Sequence, residues 1–413
     1  MSKSHPITSC QLCNGDKLTP ELFLGFVPPV NTMPEIGKPA VAEENYPLEM
    51  QRCSSCGHVQ IGFEVAVEIL FPYSYPYLSG TTRILRDNFA DLYAEAKAAL
   101  NLTADDLTID IGSNDGTLLS SFHANRHRVL GIEPSQAGAV ARKNGIDTLT
   151  AYFDADTVQK VIASHGKARL VTAANVFAHI ADVHSVVDGI VSLLQDDGIF
   201  ISESHYLGSL IETLQYDTIY HEHLRYYHLA SLIYLLERHG LEVFRVKRIP
   251  THGGSIRVWA GRKGQNPVDA SVQAMLDDER KVGLLDGSGL ENFRRRVLQS
   301  KLDLFALLSP LKRDGKRIYG IGAPSRASTL INYTGLDGDI LDCVLEVSGS
   351  YKLDKYIPGT RIPVLDERKL FEDQPEYALL LSWHIADELI AILKRKGYTG
   401  KFIVPLPAPH IVE

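Results

Sequence analysis

The chain lacks an uninterrupted apolar run of about 18 residues, the least that spans a bilayer, so no membrane-crossing helix is expected and no membrane partner. Its opening, Met1-Ser-Lys-Ser-His-Pro-Ile-Thr-Ser-Cys10, has no apolar stretch of the kind found in a secretory leader, and the expected compartment is the cytoplasm. Positive charge is in deficit: 42 Lys and Arg face 50 Asp and Glu, a formal net charge of −8. Such a surface is not built to neutralise phosphates, and nucleic acid is not an expected partner. Cysteine is scarce as well, with five in 413 residues. That is too few for a disulfide-stapled scaffold, and in a reducing compartment disulfides are not expected. What remains is ordinary for a globular protein: 45% apolar and 22% charged residues in a length that suits two or three domains.

Four of the five cysteines stand in two pairs, Cys10-x-x-Cys13 and Cys53-x-x-Cys56, with Gly57 behind the second. Two such knuckles let four thiolates converge on one Zn²⁺, and an all-cysteine set leaves no open position, so the expected metal is structural. A redox motif or a pair of disulfides are the alternatives. The proline-rich stretch from Asn14 to Arg52 shows no helical period and suggests a loop-rich lobe held by metal. The string Phe71-Pro-Tyr-Ser-Tyr-Pro-Tyr-Leu-Ser-Gly80 suits either a packed hinge or a lid that turns one tyrosine into a cleft. From Arg83 to Leu100, Ile84, Leu85, Phe89, Leu92 and Ala96 recur at helical spacing.

Leu107-Thr-Ile-Asp-Ile-Gly-Ser-Asn-Asp-Gly-Thr-Leu-Leu119 reads as strand, glycine loop and helix, the first unit of an open α/β sheet, whose ligands gather at the carboxyl ends of the strands. Asp110, Gly112, Asn114 and Gly116 are the informative positions. The spacing is not GxGxxG, which weakens a dinucleotide reading. A second strand, Val129-Leu-Gly-Ile-Glu133, ends on a carboxylate suited to two ribose hydroxyls. Further strands are expected over Leu170–Asn175 and Gly198–Glu203, with a helix from Val183 to Leu194. Asn175 and His179 follow the fourth strand, where a methyl donor would point, although a histidine there can also cap a helix.

The densest polar cluster is Tyr216-Asp-Thr-Ile-Tyr-His-Glu-His223. Two histidines two residues apart face different ways on a helix, so acid–base chemistry fits better than a metal, with a buried polar network as the alternative. His252-Gly-Gly254 separates two strand-like runs, Leu241–Arg248 and Ser255–Ala260, and either admits a ligand or makes a hairpin. After Asp286-Gly-Ser-Gly289 a long helix should reach about Leu311. Then Lys316-Arg-Ile-Tyr-Gly-Ile-Gly-Ala-Pro-Ser-Arg326 repeats the strand, glycine loop and helix, close to the dinucleotide spacing. Strands at Val344–Glu346, Tyr377–Leu381 and Lys401–Val404 and a helix from Ile385 to Arg395 complete a second Rossmann-like unit.

With these motifs the whole chain resembles the sugar C-methyltransferases that act on dTDP-linked 4-keto-deoxysugars. The matching stretches are Ile109-Asp-Ile-Gly-Ser-Asn-Asp-Gly116, Ala174-Asn-Val-Phe-Ala-His-Ile180, Tyr220-His-Glu-His223 and His252-Gly-Gly254. Against the family's GAPAKGNTLLNYCG the chain has Gly322-Ala-Pro-Ser-Arg-Ala-Ser-Thr-Leu-Ile-Asn-Tyr-Thr-Gly335, with Arg326 for the lysine and Thr334 for the cysteine. A further departure, Glu346-Val-Ser-Gly-Ser-Tyr351, also falls where the nucleotide should bind, and it leaves the nucleotide open. The resemblance implies an α/β chain in three parts. These are a zinc-binding N-terminal domain (1–75), a class I (Rossmann-like) methyltransferase domain (76–262) and a C-terminal Rossmann-like domain for the nucleotide sugar (263–413). It implies S-adenosylmethionine as cofactor, held by Asp110, Gly112, Asn114, Gly116, Glu133 and Asn175, and Cys10, Cys13, Cys53 and Cys56 on zinc. His223 would be the base, supported by Glu222, with Tyr220, Tyr77 and His179 at the keto oxygen. His252, Gly253, Gly254, Ser325 and Arg326 would meet the nucleotide sugar. Methylation at carbon 3, through an enolate, and a monomer or weak homo-oligomer are expected. An O-methyltransferase, an NAD(P)-dependent sugar oxidoreductase and a non-catalytic zinc scaffold are the rivals.

Overall fold

Every residue of the strand Leu107–Ile111 is buried, as a strand flanked by parallel neighbours and covered on both faces must be. It lies in a seven-stranded sheet in the computed structural model of the chain, which describes residues 3–39, 42–71 and 78–413. Outward from it on one side come Arg128–Ile132 and Thr148–Leu149. On the other come Ala168–Ala174, Leu194–His205 and then the hairpin Ser255–Arg262 and Leu241–Ile249. The first five strands run parallel and the hairpin antiparallel. Strand order therefore reverses between Leu107–Ile111 and Ala168–Ala174, and open α/β sheets place ligands at such a switch point. The expected strands and helices of this part are all present. Helix Arg83–Leu100 buries Leu85, Phe89, Leu92 and Ala96, while Ile84 is exposed and lines the cavity described below.

A second seven-stranded sheet has the order Lys355–Tyr356, Pro363–Asp366, Cys343–Glu346, Ile318–Ile321, Tyr377–Leu380, Lys401–Val404, His410–Val412. Its five inner strands are parallel. The 26-residue helix Ser288–Arg313 leads into it and buries Leu290, Phe293, Val297, Leu304 and Leu308 along one face at helical spacing.

The N-terminal lobe differs from the loop-rich expectation. Leu18–Val27 and Tyr46–Cys53 pair antiparallel and are extended by Val59–Ile61. Leu22 and Leu24 on one strand and Leu48 and Met50 on the next point inward at a spacing of two, a short β alternation among the prolines. The fourth strand of this sheet, Arg225–Tyr226, comes from the middle of the chain. The lobe thus gains an edge strand that begins two residues after His223. Its inner residues share one core with Leu210, Tyr216 and Ile219 and with Leu330 and Ile331 of the C-terminal sheet's first helix. No helix among the described residues is long and apolar enough to cross a membrane.

Beneath the central sheet a buried charge cluster ties helix Arg83–Leu100 to the hairpin. Arg257 and Glu203, both without solvent exposure, are 2.7 Å apart. Asn88 donates to the second Glu203 oxygen at 2.8 Å, and Arg257 also reaches Glu95 at 2.7 Å. Burial pushes the Glu203 carboxyl up and the guanidinium opposes it. Breaking a buried pair strands the survivor. Arg257→Ala should therefore lower stability by about 3–5 kcal/mol, read as a lower denaturant midpoint with unchanged slope.

Candidate active site

One cavity of about 1620 Å³ runs from the carboxyl ends of the central sheet to those of the C-terminal sheet. Its near end is built by the loop after Leu107–Ile111. Gly112 there has φ +67°, and a Cβ on it would come within 2.5 Å of Val176. Glu133, at the end of the second strand, accepts from the backbone N–H of Asn114 on one oxygen and of Ser135 on the other, at 2.9 and 2.8 Å. Held this way, the carboxylate keeps lone pairs on both oxygens for a vicinal diol, the chemistry of a ribose. Gly112, Asn114, Glu133 and Asn175 all line the cavity. Asp110 and Gly116 do not. Asp110 lies within its strand, takes a hydrogen bond from Thr172 at 2.7 Å and is pushed up to about 7 by burial. Gly116 caps helix Thr117–Ala124 where a Cβ would press on Ile146 and Ala141 at 3.0 and 3.1 Å.

The string Tyr220–Tyr227 crosses the middle of the cavity and is pinned from below. Leu224 N–H donates to the Ala178 carbonyl at 2.7 Å, and the buried Arg225 donates to the carbonyls of Ile180 and Ala181. His179 Nδ1 meets the Glu222 carbonyl at 2.6 Å, and His223 Nδ1 meets the Thr218 carbonyl at 2.8 Å. A carbonyl only accepts, so both rings carry their proton on Nδ1 and offer the Nε2 lone pair. The two rings lie 5.0 Å apart, and Tyr220 lies 4.2 Å from His223. Burial holds His223 well below the ordinary imidazole range, and it lowers His179 too. Both are neutral near pH 7, the state a general base requires. Glu222 accepts from Asn31 Nδ2 of the N-terminal lobe at 2.6 Å. His221 points the other way, against the Pro47 carbonyl, so the two histidines of the string serve different surfaces. Tyr77 lies outside the described residues.

At the far end the second glycine loop repeats the first in detail. Glu346 closes the strand Cys343–Glu346 and accepts from the backbone N–H of Ala323 at 2.8 Å and of Val347 at 2.9 Å, as Glu133 does from Asn114 and Ser135. Ser325 and Lys352 line this end, and Lys352 Nζ donates to the Ala323 carbonyl. Arg326 is differently engaged. Its guanidinium grips Asp217 with two hydrogen bonds of 2.8 and 2.7 Å and stacks on Trp383. His252 and Gly253 line the cavity. Gly253, at φ +82°, sits where a Cβ would fall 2.2 Å from Gln215, and a Cβ on Gly254 would meet Ser209, so the double glycine both turns the hairpin and admits protein groups closely.

Several lining residues carried no sequence motif. His205 ends the strand Leu194–His205 with its Nε2 unpartnered, and His384 follows the strand Tyr377–Leu380. Their position just past strand ends is the one signal that would have found them. Enclosure within the protein lowers His205 to about 3 and His252 and His384 to about 4, and the Arg326 charge adds to each.

The four Sγ atoms of Cys10, Cys13, Cys53 and Cys56 lie within 4.8 Å of one another. Leu12 N–H points at Cys10 Sγ and Gly15 N–H at Cys13 Sγ, both at 3.4 Å, as in a knuckle that shares its thiolate charge with the backbone. The hydrogen bond from Cys56 lowers the Cys10 thiol to about 5. This donor set fits Zn²⁺ and supplies no open coordination position. The protein isolated without chelator should carry about one zinc per chain by elemental analysis. Cys53→Ser should lower the melting temperature, and the fraction that stays folded should keep its affinity for the cavity's ligands.

Residues 82–246 match the methyltransferase domain family, residues 250–407 the C-methyltransferase C-terminal domain, and residues 10–71 a zinc binding domain. The chain is 32% identical over 411 residues to the C-methyltransferase NovU of Streptomyces niveus, which covers 99% of this chain and 97% of that one. Among solved structures, an S-adenosylmethionine-dependent methyltransferase from Clostridium acetobutylicum is 15% identical, covering 45% of this chain and 94% of that chain, with a TM-score of 0.35. The magnesium protoporphyrin IX methyltransferase of Synechocystis is 17% identical, covering 43% and 79%, with a TM-score of 0.33. The likeness to NovU runs through the zinc lobe, the central sheet and the C-terminal sheet alike, and on that ground the chain belongs to the C-methyltransferase family and is an S-adenosylmethionine-dependent C-methyltransferase with a structural zinc site.

Proposed function

We propose that the chain methylates carbon 3 of a nucleotide-linked 4-keto-deoxysugar through an enolate. The observation that carries this reading is the placement of His223. Its Nδ1–H is fixed on the Thr218 carbonyl, its Nε2 is left as acceptor, and the ring lines the same cavity as Glu133. Carbon is a nucleophile only when a neighbouring carbonyl makes its C–H acidic, so a C-methyltransferase needs a base at that hydrogen and donors at that oxygen.

S-adenosylmethionine supplies an electrophilic methyl group when bound. Glu133 would hold its ribose, with Gly112, Asn114 and Asn175 forming the walls beside it. His223 Nε2 takes the proton beside the ketone, and the electron pair moves to the keto oxygen. The developing oxyanion would be met by Tyr220, and His179 would hold the sugar; Tyr77, the other expected donor, lies outside the described residues. Glu222, tied to Asn31, keeps the string in register beneath the substrate. Bound S-adenosylmethionine would supply the methyl group to that carbon and leave as S-adenosylhomocysteine, while the proton stays on His223 until solvent removes it.

The nucleotide belongs at the far end. Glu346 faces its sugar, and Ser325 with the ammonium of Lys352 faces its phosphates. His252 and Gly253 border the passage between the two ends. A cytoplasmic monomer or weak homo-oligomer acting on a small molecule goes with this reading.

Two measurements test the reading. Glu133→Ala should weaken S-adenosylhomocysteine binding in calorimetry by at least about 1–3 kcal/mol, the worth of two ordinary hydrogen bonds. Unchanged affinity would remove Glu133 from the site. With methyl-labelled S-adenosylmethionine and a panel of nucleoside-diphosphate 4-keto-deoxysugars, the wild type should form a methylated sugar seen by mass. His223→Asn should lose both methyl transfer and solvent-deuterium exchange beside the ketone, together, by about 10²–10⁴-fold. Methylation of a sugar without a ketone would transfer the reading to oxygen.

A further inference from the structure

The C-terminal lobe reaches the catalytic string at one fully buried carboxylate. Asp217 has no solvent exposure, and three donors converge on it: Arg326 Nε at 2.8 Å, Arg326 Nη2 at 2.7 Å and Trp383 Nε1 at 2.7 Å. Arg326 Nη2 also contacts Gln215 at 3.2 Å. Asp217 is followed at once by Thr218, whose carbonyl holds His223 Nδ1 at 2.8 Å. A second tie from the same helix falls one residue later, where Thr329 Oγ1 donates to the Ile219 carbonyl at 3.0 Å. The tautomer and tilt of His223 are thus set by a carbonyl flanked on both sides by residues, Asp217 and Ile219, that the C-terminal lobe holds.

We propose that Arg326 and Trp383 are positioning residues for His223, acting through Asp217 and the Thr218 carbonyl. This rests on the reading of His223 as the base, and it changes the part expected of Arg326. A guanidinium bound side-on to a buried carboxylate is already neutralised, and the two bonds use the fork that would otherwise meet a phosphate. Its work is mechanical. It fixes Thr218, so the imidazole presents Nε2 to the cavity and does not flip to present Nδ1. Lys352, with no carboxylate within ion-pair distance among the described residues, is left as the cation for the phosphates.

The groups that face His223 are His179, His205, His252 and Tyr220, and none of them grips its Nδ1. Loss of the Thr218 hydrogen bond therefore has one direction. That bond favours the charged ring, so weakening it moves the His223 pKa further down and frees the other tautomer.

The experiment uses the full zinc-loaded chain with ¹³C- and ¹⁵N-labelled histidine, the His223 signals being identified by their absence in His223→Asn. In the wild type His223 should show a single Nδ1–H tautomer. Asp217→Asn should mix the tautomers, and with S-adenosylmethionine and a nucleotide 4-keto-deoxysugar it should lose about 10²-fold in kcat with KM nearly unchanged. The acid limb of its kcat–pH profile should move to lower pH. Arg326→Gln should show the same loss and Arg326→Lys, which keeps the charge, a smaller one, and Trp383→Phe, which removes one donor and no charge, should show the same signature more weakly. Trp383→Phe carries the test alone if Asp217→Asn does not fold. A His223 signature unchanged in every variant that folds would overturn the proposal. So would Arg326→Gln if it raised the Kd for dTDP or UDP more than tenfold while leaving that signature intact, because Arg326 would then be a phosphate ligand. The labelling arm needs no sugar. If His223→Asn methylates normally while the tautomer responds to Asp217, the clamp exists but His223 is not the base, and the proposal falls with that reading.

Discussion

A carboxylate with no access to water survives in a folded protein only if enough donors surround it. Asp217 meets that condition with three hydrogen bonds, all of them from the C-terminal lobe. The dependence runs both ways. Without Arg326 and Trp383 the charge could not be buried, and without Asp217 the guanidinium would be a buried charge beside His205, His252 and His384. The pair is thus the polar tie between the C-terminal lobe and the segment before His223, beside the apolar core that they share. The N-terminal lobe is fastened to the same segment by other means. It gains Arg225–Tyr226 as an edge strand, it offers the Pro47 carbonyl to His221, and it sends Asn31 to Glu222. All three lobes close on thirteen residues, from Gln215 to Tyr227.

The two glycine loops give one cavity two ends of like backbone geometry. Glu133 and Glu346 each end the second strand of their sheet, and each is gripped by one N–H from its glycine loop and one from just beyond itself. The repeated geometry offers the same acceptor pair at opposite ends. What differs is the charge beside it. Lys352 stands near Glu346, while the loop at Glu133 has no such cation among the residues lining it. An ammonium suits a phosphate-bearing nucleotide, and its absence suits a ligand that carries its own positive sulfonium. The two ends are thus made unlike by electrostatics and alike by backbone.

Much of this was legible in the sequence because it rests on local pattern. Strand, glycine loop and helix follow from residues close along the chain, and the helix Arg83–Leu100 and the strand Lys401–Val404 have the bounds their spacing gives. The cysteine knuckles are equally local. The N-terminal strands were not read, because their alternation is short and broken by prolines, and because one strand of that sheet lies more than 160 residues downstream in the chain. The part of Arg326 was hidden for the same reason. An arginine after a glycine loop looks like a phosphate ligand, and only the distant Asp217, 109 residues away, claims its charge. Asp110 was expected among the residues that hold the cofactor, and its side chain turns to Thr172 inside the sheet. Lone histidines such as His205 and His384 carry no signal but their place at the ends of strands.

The low pKa of His223 looks at first like a handicap for a base, since a weaker base removes a proton less readily. In the proposed reaction the relevant quantity is the pair that forms, imidazolium beside enolate, and not the imidazolium alone. Burial raises the cost of an isolated charge far more than that of two opposite charges in contact. The same enclosure that keeps His223 neutral in the resting protein therefore weighs little against the ion pair at the moment of transfer. It also keeps the base unprotonated across the neutral range, so no fraction of the protein waits with its lone pair blocked. The arrangement requires that the ring be held with Nε2 facing the substrate before the charge appears, because a buried ring that had to turn would carry its charge unpaired. The Thr218 carbonyl supplies that orientation, and the clamp on Asp217 makes it permanent.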